Sequence, residues 1–141
     1  MNRKIVAFKL NEEEYGLDIQ YVQSIEQLLP ITRVPNAPIY VKGVINLRGN
    51  VIPVLDLSSK LTLNQATYTK FTRLIITKVE EIEVGLIVDQ ISDVIDIAEE
   101  AIESESSSAV HSEFFEGIAI SDGRIIILLN VEELLRTEEV I

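Results

Sequence analysis

The chain alternates short apolar runs with polar breaks, and one such arrangement occurs twice. Residues 43–57 form two apolar runs around Arg48-Gly49-Asn50, and residues 117–131 repeat the arrangement around Asp122-Gly123. A glycine at the break supplies the positive φ that a tight hairpin turn requires. The pattern therefore predicts the same β-hairpin in two places along the chain.

The similarity between the two parts of the chain extends toward the amino terminus. Residues 5–10 align with residues 74–79, and residues 16–25 align with residues 85–94. The second copy then has five more residues before its hairpin, in a region that includes the polar run 103–108. Surface loops tolerate insertions of this size. Self-similarity of this kind indicates a duplicated structural unit.

The duplication predicts a single domain, residues 1–141, made of two subdomains. Subdomain 1 covers about residues 11–68 and subdomain 2 about residues 69–141, and the strand 1–10 is free to pack with either. A unit of about 70 residues has only a marginal core of its own. We therefore expect the halves to share a core and not to fold independently.

The other apolar segments also predict strands. Segments 22–29 and 91–97 have some helical spacing, but their β-branched content favours bent strands. Several short strands separated by turns indicate small closed barrels more than a sandwich. Besides the two hairpins and the two bent segments, the predicted strands are 4–10, 15–19, 72–79 and 83–90.

Prolines and polar residues mark the remaining features. Residues 29–38 contain three of the four prolines and predict an irregular loop, and residues 98–113 predict an acidic one. Pro53 lacks the N–H of an interior strand residue, which implies an edge position or a bulge. Asn130, with Glu133 three residues later, predicts the N-cap of a short closing helix.

The charge distribution restricts the classes of partner. A net charge of −11 argues against nucleic-acid binding, which rests on clustered Lys and Arg. Residues 1–79 hold ten basic and six acidic side chains, whereas residues 80–116 hold twelve acidic ones and no Lys or Arg. The acidic stretch is either a solvated face or a docking surface for a basic partner.

Candidate chemistry is sparse. The chain has no Cys and no apolar run long enough for a membrane span, and its amino terminus leads into a β pattern, which fits a cytoplasmic location. His111, the single histidine, is interpreted as a surface residue of the polar loop. Asp89 and Asp93 could be paired carboxylates, but Asp is also common at strand ends for local hydrogen bonding.

Arg48 is the most informative polar residue, because it occupies the turn of the first hairpin where the second copy has Asp122. One interpretation is a solvated turn residue. The other is an interface arginine, since the guanidinium group offers a rigid fork of donors and tolerates partial burial.

Four segments resemble one known family. Residues 41–57, Val-Lys-Gly-Val-Ile-Asn-Leu-Arg-Gly-Asn-Val-Ile-Pro-Val-Leu-Asp-Leu, are similar to the central motif of the CheW family, the coupling proteins of bacterial chemotaxis. Residues 13–19 resemble the opening of that family, residues 84–95 its third block, and residues 113–117 with the final hairpin its end. The resemblance covers essentially the whole chain.

The resemblance implies an all-β fold of two five-stranded SH3-like β-barrels related by a pseudo-twofold, with a short C-terminal helix. It also implies a non-enzymatic adaptor without cofactor or metal. Such an adaptor connects the cytoplasmic tips of chemoreceptors to the regulatory domain of the histidine kinase CheA. The implied location is the cytoplasm, at receptor arrays on the inner membrane face, without direct membrane insertion.

The resemblance also implies site residues. Arg48 matches the family arginine implicated in coupling, but Ser24 stands where many members have Glu as its polar partner, and Glu26 lies two residues on. This leaves the pairing of the arginine open. The positions that match receptor or kinase contacts in the family are Val22, Gly43, Gly85, Ile91 and Val94.

Two other functions remain open from the sequence. One is a CheW-like scaffold for a non-flagellar chemosensory pathway, such as pilus motility. The other is a small-ligand-binding barrel that uses Asp89 and Asp93, which a deep polar pocket with converging carboxylates would support.

Overall fold

The protein is built almost entirely from β-strands. The computed structural model describes residues 1–63, 67–104 and 113–136. Two short helices, α1 (Leu57–Lys60) and α2 (Val131–Arg136), follow the two predicted hairpins. The strands are β1 (Asn2–Leu10), β2 (Glu13–Asp18), β3 (Val22–Gln27), β4 (Val41–Leu47), β5 (Asn50–Asp56), β6 (Arg73–Val79), β7 (Ile82–Val88), β8 (Gln90–Ala98), β9 (Ile102–Ser104), β10 (Phe115–Ser121) and β11 (Arg124–Leu129).

These bounds confirm the predicted all-β class and the short C-terminal helix. Both predicted hairpins are present, as β4–β5 and β10–β11. The two segments predicted as bent strands are β3 and β8. Short 3-10 turns occur at Ile19–Tyr21 and Glu99–Ala101. The second turn and β9 lie within residues 98–113, which the sequence predicted as one acidic loop.

The strands form two sheets with the same internal order. Sheet B has five strands in the order β3-β6-β7-β5-β4, and sheet A has six in the order β8-β1-β2-β11-β10-β9. Replacing each strand of sheet B by its equivalent in the sequence repeat gives the first five strands of sheet A. The duplication seen in the sequence is therefore a duplication of sheet topology, to which sheet A adds the short strand β9.

The sheets divide the chain differently from the predicted halves. Sheet B takes all its strands from residues 22–88, and sheet A combines residues 2–18 with residues 90–129. The amino-terminal hairpin β1–β2 thus pairs with strands of the second half, and its equivalent β6–β7 pairs with strands of the first half. Each half gives one hairpin to the sheet of the other.

Two parallel pairings attach the exchanged hairpins to their sheets. Strand β5 pairs with β7 at Val54–Asp56, and strand β11 pairs with β2 at Ile126–Leu128. Parallel neighbours need a crossover connection and cannot be joined by a tight turn. The crossover explains why strands adjacent in space lie far apart in the sequence.

Three apolar clusters fill the part of the molecule that the structure describes. One cluster contains residues of sheet B and a second contains residues of sheet A. The third is the largest and joins the sheets, with Phe8 and Leu17 from sheet A packed with Leu55 and Leu86 from sheet B. Helix α2 contributes Val131, Leu134 and Leu135 to this shared cluster. Each sheet therefore buries apolar side chains against the other sheet.

Pro53 is not on an edge strand, because β5 lies between β7 and β4 in sheet B. Its position is tolerated because the pairing of β5 with β7 begins only at Val54. Pro53 is paired with Val44 of β4 and has no paired residue on β7. A missing N–H is acceptable at a position outside the second ladder.

Candidate protein-binding site

Arg48 has a backbone conformation that is costly for an arginine. Its φ is 51°, and Gly49 follows with a φ of 89°, so both central residues of the β4–β5 turn are left-handed. Asn46 supports the turn, since its Oδ1 accepts a hydrogen bond of 2.9 Å from the Gly49 N–H. Asp122 has the same φ of 51° in the second hairpin, where a short polar side chain is better suited to it.

The Arg48 guanidinium group forms an ion pair with Glu26 of β3, at 3.2 Å from Nη2 to Oε2. The Arg48 side chain is 70% exposed and that of Glu26 is 19% exposed. A hydrogen bond from Ser24, and then the hydrogen bond from Arg48, lower the pKa of Glu26 below its ordinary value. Glu26 therefore takes the role of acidic partner, and Ser24 supports its carboxylate.

This ion pair also shows that sheet B curls. Strands β3 and β4 are the two edges of that sheet, yet Glu26 of β3 meets Arg48 at the end of β4. A depression of about 290 Å³ lies at the junction. We call this region the Arg48 corner, defined by the lining residues Gln23, Ser24, Leu47, Arg48, Asn50, Ile52 and Glu83 together with Glu26.

Three further candidate residues lie on the two equivalent edge strands. Val22 begins β3, Ile91 lies near the start of β8, and both are half-buried against the cluster shared by the sheets. Val94 of β8 is 52% exposed. Val22 and Ile91 are thus core residues that reach the surface, whereas Val94 is available to a partner.

Gly43 and Gly85 are buried and serve packing. A Cβ at Gly43 would lie 2.0 Å from the carbonyl oxygen of Thr32, and the φ of Gly43 is 147°. A Cβ at Gly85 would lie 3.3 Å from Ile76 Cδ1 and 3.6 Å from Val54 Cγ2. Neither glycine offers a side chain to a partner, and each allows neighbouring atoms to pack closely against the backbone.

The repeat places exposed aliphatic side chains at equivalent positions of both sheets. Ile25 of β3 aligns with Val94 of β8, and Val51 of β5 aligns with Ile125 of β11, and all four are exposed. Ile125 faces a further exposed residue, Ile120, across the β10–β11 hairpin. Exposed apolar residues grouped beside polar ones are typical of protein-binding surfaces.

Asp89 and Asp93 do not form a carboxylate pair. Asp93 binds Arg124 through two hydrogen bonds of 2.9 and 3.1 Å, and Arg124 also binds Glu14 at 2.6 Å. The hydrogen bonds from Arg124 lower the pKa of Asp93. Asp89 Oδ2 instead accepts a hydrogen bond from the Asn11 N–H. Each carboxylate has a separate structural partner, which removes the geometry that a shared ligand site needs.

Other kinds of site find little support in the part of the chain that the structure describes. Within residues 1–63, 67–104 and 113–136, no three acidic or imidazole side chains are grouped as metal ligands. Across those same ranges, each helix is too short to span a bilayer. His111 lies outside the described residues.

Known proteins are similar to this chain in both sequence and fold. A protein-family model described as "CheW-like domain" matches residues 4–139. The chain belongs to the CheW family. It is 36% identical over 140 residues to the "Probable chemotaxis protein CheW" of Rhizobium etli, an alignment that covers 98% of this chain and 90% of that protein. It is also 36% identical over 141 residues to the "Chemotaxis protein CheW" of Klebsiella aerogenes, covering 99% of this chain and 85% of that protein.

A solved structure shows the same fold. The crystal structure of the "scaffolding protein TtCheW" from Thermoanaerobacter tengcongensis superposes with a TM-score of 0.89 at 38% identity. The superposition covers 98% of this chain and 95% of that chain. Both the sequence and the arrangement of the two sheets are thus those of the CheW family.

Proposed function

We propose that this protein is a non-enzymatic adaptor that couples the cytoplasmic tips of chemoreceptors to the regulatory domain of a CheA-type histidine kinase. It works in the cytoplasm, at receptor arrays beneath the inner membrane. Family membership supports this proposal, because the similar proteins are named as chemotaxis and scaffolding proteins. A CheW-like scaffold for a non-flagellar chemosensory pathway has the same physical requirements and differs only in the identity of receptor and kinase.

The observation that carries the proposal is the Arg48 corner. An arginine in a left-handed turn conformation costs about 1–2 kcal/mol relative to a residue suited to that conformation. Its ion pair with Glu26 is solvent-exposed, and pairs of this kind contribute little to stability. Backbone strain without a compensating gain in stability is typical of functional positions. We infer that Arg48 is retained for partner contact.

The contacts fit an interface with a protein more than a site for a small molecule. The depression at the Arg48 corner is small, with a volume of about 290 Å³. Exposed Val51 follows the turn, and exposed Ile25 lies between Ser24 and Glu26 on β3. An arginine beside aliphatic side chains is a composition common in the centre of protein interfaces.

The test is kinase activation in reconstituted complexes of receptor, kinase and this protein. Arg48→Asn keeps a residue that tolerates the left-handed turn and removes the guanidinium group. We expect the concentration of this protein that gives half-maximal activation to rise about tenfold, equal to about 1.4 kcal/mol of lost partner binding. The free energy of unfolding should stay the same or rise by about 1 kcal/mol, because Asn relieves the backbone strain and the exposed ion pair contributes little.

Arg136→Asn is the matched control. Arg136 is 68% exposed and binds Glu133 at 3.2 Å, which closely matches the exposure and distance of the Arg48 pair. This variant should leave activation unchanged. Equal losses of activation in the two variants, or a loss at Arg48 that follows a drop in melting temperature, would contradict the proposed role.

A further inference from the structure

An open groove of about 640 Å³ lies between the proline-rich loop and strand β4. It shares no lining residue with the depression at the Arg48 corner. The groove is lined by Ile31, Arg33, Val34, Pro35, Asn36, Ala37, Pro38, Ile39, Val41, Lys42 and Tyr68.

The loop that forms one wall is held in place by the backbone. Thr32 and Val44 exchange two hydrogen bonds, each of 2.8 Å, and the Val41 N–H donates to the Pro38 carbonyl oxygen at 2.9 Å. Gly43 makes this possible, because the Thr32 carbonyl oxygen occupies the place where a Cβ would stand. Prolines in the loop restrict it further. The groove is therefore preformed, which lowers the entropic cost of binding.

The charge of the groove is opposite to that of the protein. Arg33 and Lys42 are among its lining residues, and none of the described lining residues is acidic, although the chain carries 23 acidic residues. Arg33 is exposed and Lys42 is half-buried. A local positive site on a protein of net charge −11 selects for an anionic occupant.

The groove also offers apolar contact. Ile39 is 75% exposed and Tyr68 is 47% exposed, and both are among the lining residues. A tyrosine beside an aliphatic side chain and an arginine is a combination typical of protein-binding surfaces. An inorganic anion would leave these apolar groups unused, so the chemistry favours a polypeptide.

We propose that this groove docks an acidic segment of a partner protein, with carboxylates on Arg33 and Lys42 and a large apolar side chain in contact with Ile39 and Tyr68. The occupant binds through side chains at this place, because Thr32 already fills the backbone hydrogen bonds of Val44 on the open edge of β4. Binding that depends on exposed charges weakens as salt screens them.

The first test uses a defined probe, a fluorescein-labelled peptide of sequence Glu-Leu-Glu-Glu-Leu-Glu, with a Lys-for-Glu version as its negative control. We expect saturable binding of the acidic peptide to the full chain at low salt, weakened by salt, and none of the basic peptide. Amide NMR shifts should concentrate on residues 31–42 and on Tyr68.

The second test uses charge reversal. Arg33→Glu and Lys42→Glu should each weaken peptide binding about tenfold. Lys4→Glu makes the same change in net charge on β1, where Lys4 is exposed and pairs with Asp96, and should weaken binding less than about twofold. Amide NMR spectra of all three variants would show whether each one folds.

Three results would overturn the proposal: no saturable binding of the acidic peptide, equal weakening by Lys4→Glu, or shifts located away from the groove. Analytical ultracentrifugation tests whether the groove binds a second copy of this chain instead. Dimers that disappear in the Arg33→Glu variant would assign the groove to that second copy. The outcome is separate from the adaptor function. Kinase activation that depends on Arg48 stands even if the peptide fails to bind.

Discussion

At the scale of single residues, Gly43 shows how a position without a side chain can shape the surface around it. The loop over β4 approaches so closely that a side chain at position 43 meets the backbone of Thr32. The glycine thus holds the wall of the groove in place. A change there would alter the surface presented by Arg33 and Ile39.

We therefore expect Gly43→Ala to lower the free energy of unfolding by about 3 kcal/mol, through overpacking and an unfavourable φ. Gly49→Ala is the control, because its φ of 89° carries a similar backbone cost but a Cβ there has open space. Its loss should be about 1 kcal/mol. Chemical denaturation measures both, and equal losses would mean that the contact with Thr32 is easily relieved.

Arg124 offers a second test at this scale, because it binds both Glu14 and Asp93. Since the pKa of Asp93 is lowered in the folded state, its ion pair stabilises the protein fully above the ordinary pKa of 3.8. This contribution is lost as the pH falls through the lower folded-state pKa.

We expect Arg124→Gln to raise the pKa of Asp93 toward its ordinary value and to flatten the dependence of stability on pH below about 4. Carbon-detected NMR titration of the Asp93 carboxyl group measures the first effect, and urea denaturation at several pH values measures the second. Arg136→Gln serves as the control. An unchanged Asp93 titration in the Arg124 variant would refute the assigned cause.

At the scale of elements, the sequence predicted the hairpins and the bent strands because their signals are local. The two apolar runs and the glycine at the turn lie within the 15 residues 43–57. The pairing of Arg48 was left open for the opposite reason. Glu26 becomes its partner only when β3 and β4 meet as the two edges of one curled sheet.

The arginine contacts of sheet A were missed on the same grounds. Arg3 binds Asp18 of β2 at 3.0 Å and Glu116 of β10 at 2.8 Å. Arg124 reaches Glu14, which precedes it by 110 residues. No sequence pattern specifies contacts over such separations. The groove had one local sequence signal. Arg33 and Lys42 lie beside three prolines in an acidic chain.

Helix α2 begins with a side-chain cap. Asn130 Oδ1 accepts a hydrogen bond of 3.1 Å from the Glu133 N–H, which confirms Asn130 as the N-cap. In a full capping box the Glu133 side chain would accept a hydrogen bond from the Asn130 N–H. Here the Asn130 N–H donates to the carbonyl oxygen of Phe114, and the Glu133 side chain pairs with Arg136. The cap thus also ties the helix to the segment before β10.

Asn130→Ala should lower the free energy of unfolding by about 1 kcal/mol, the usual cost of losing a cap. Asn130→Asp should retain most of the stability, because a carboxylate can accept the same hydrogen bond. Thermal denaturation compares the two variants. A similar loss in both would show that the cap contributes little here.

At the scale of the whole molecule, the exchange of hairpins between the halves governs stability. Residues 1–68 would contain β1 and β2 without their partners β8 and β11, and residues 69–141 would contain β6 and β7 without β3 and β5. The largest apolar cluster also draws on both halves. This geometry gives a specific reason for the prediction that the halves do not fold alone.

Expressed separately, residues 1–68 and residues 69–141 should each give amide NMR spectra of narrow dispersion, and the whole chain should melt in one transition. Mixing the two fragments should restore dispersed spectra, because each supplies the hairpin that the other lacks. High salt should partly relieve the charge repulsion in the acidic second fragment. A dispersed spectrum from either fragment alone, matching its part of the whole, would disprove the shared core.

The same exchange sets the order in which the molecule can be completed during synthesis. All five strands of sheet B lie within residues 22–88, so their partners are present once the ribosome has passed that point. In sheet A, Ile5 pairs with Ile95 and Gly16 with Leu128, so β1 must wait for β8 and β2 must wait for β11. Contacts of such long separation form slowly. The amino-terminal hairpin is therefore the part of the nascent chain that waits longest for its sheet neighbours. Ile5 and Ala7, which pack with Ile126 and Leu128, stay uncovered until those residues have been made.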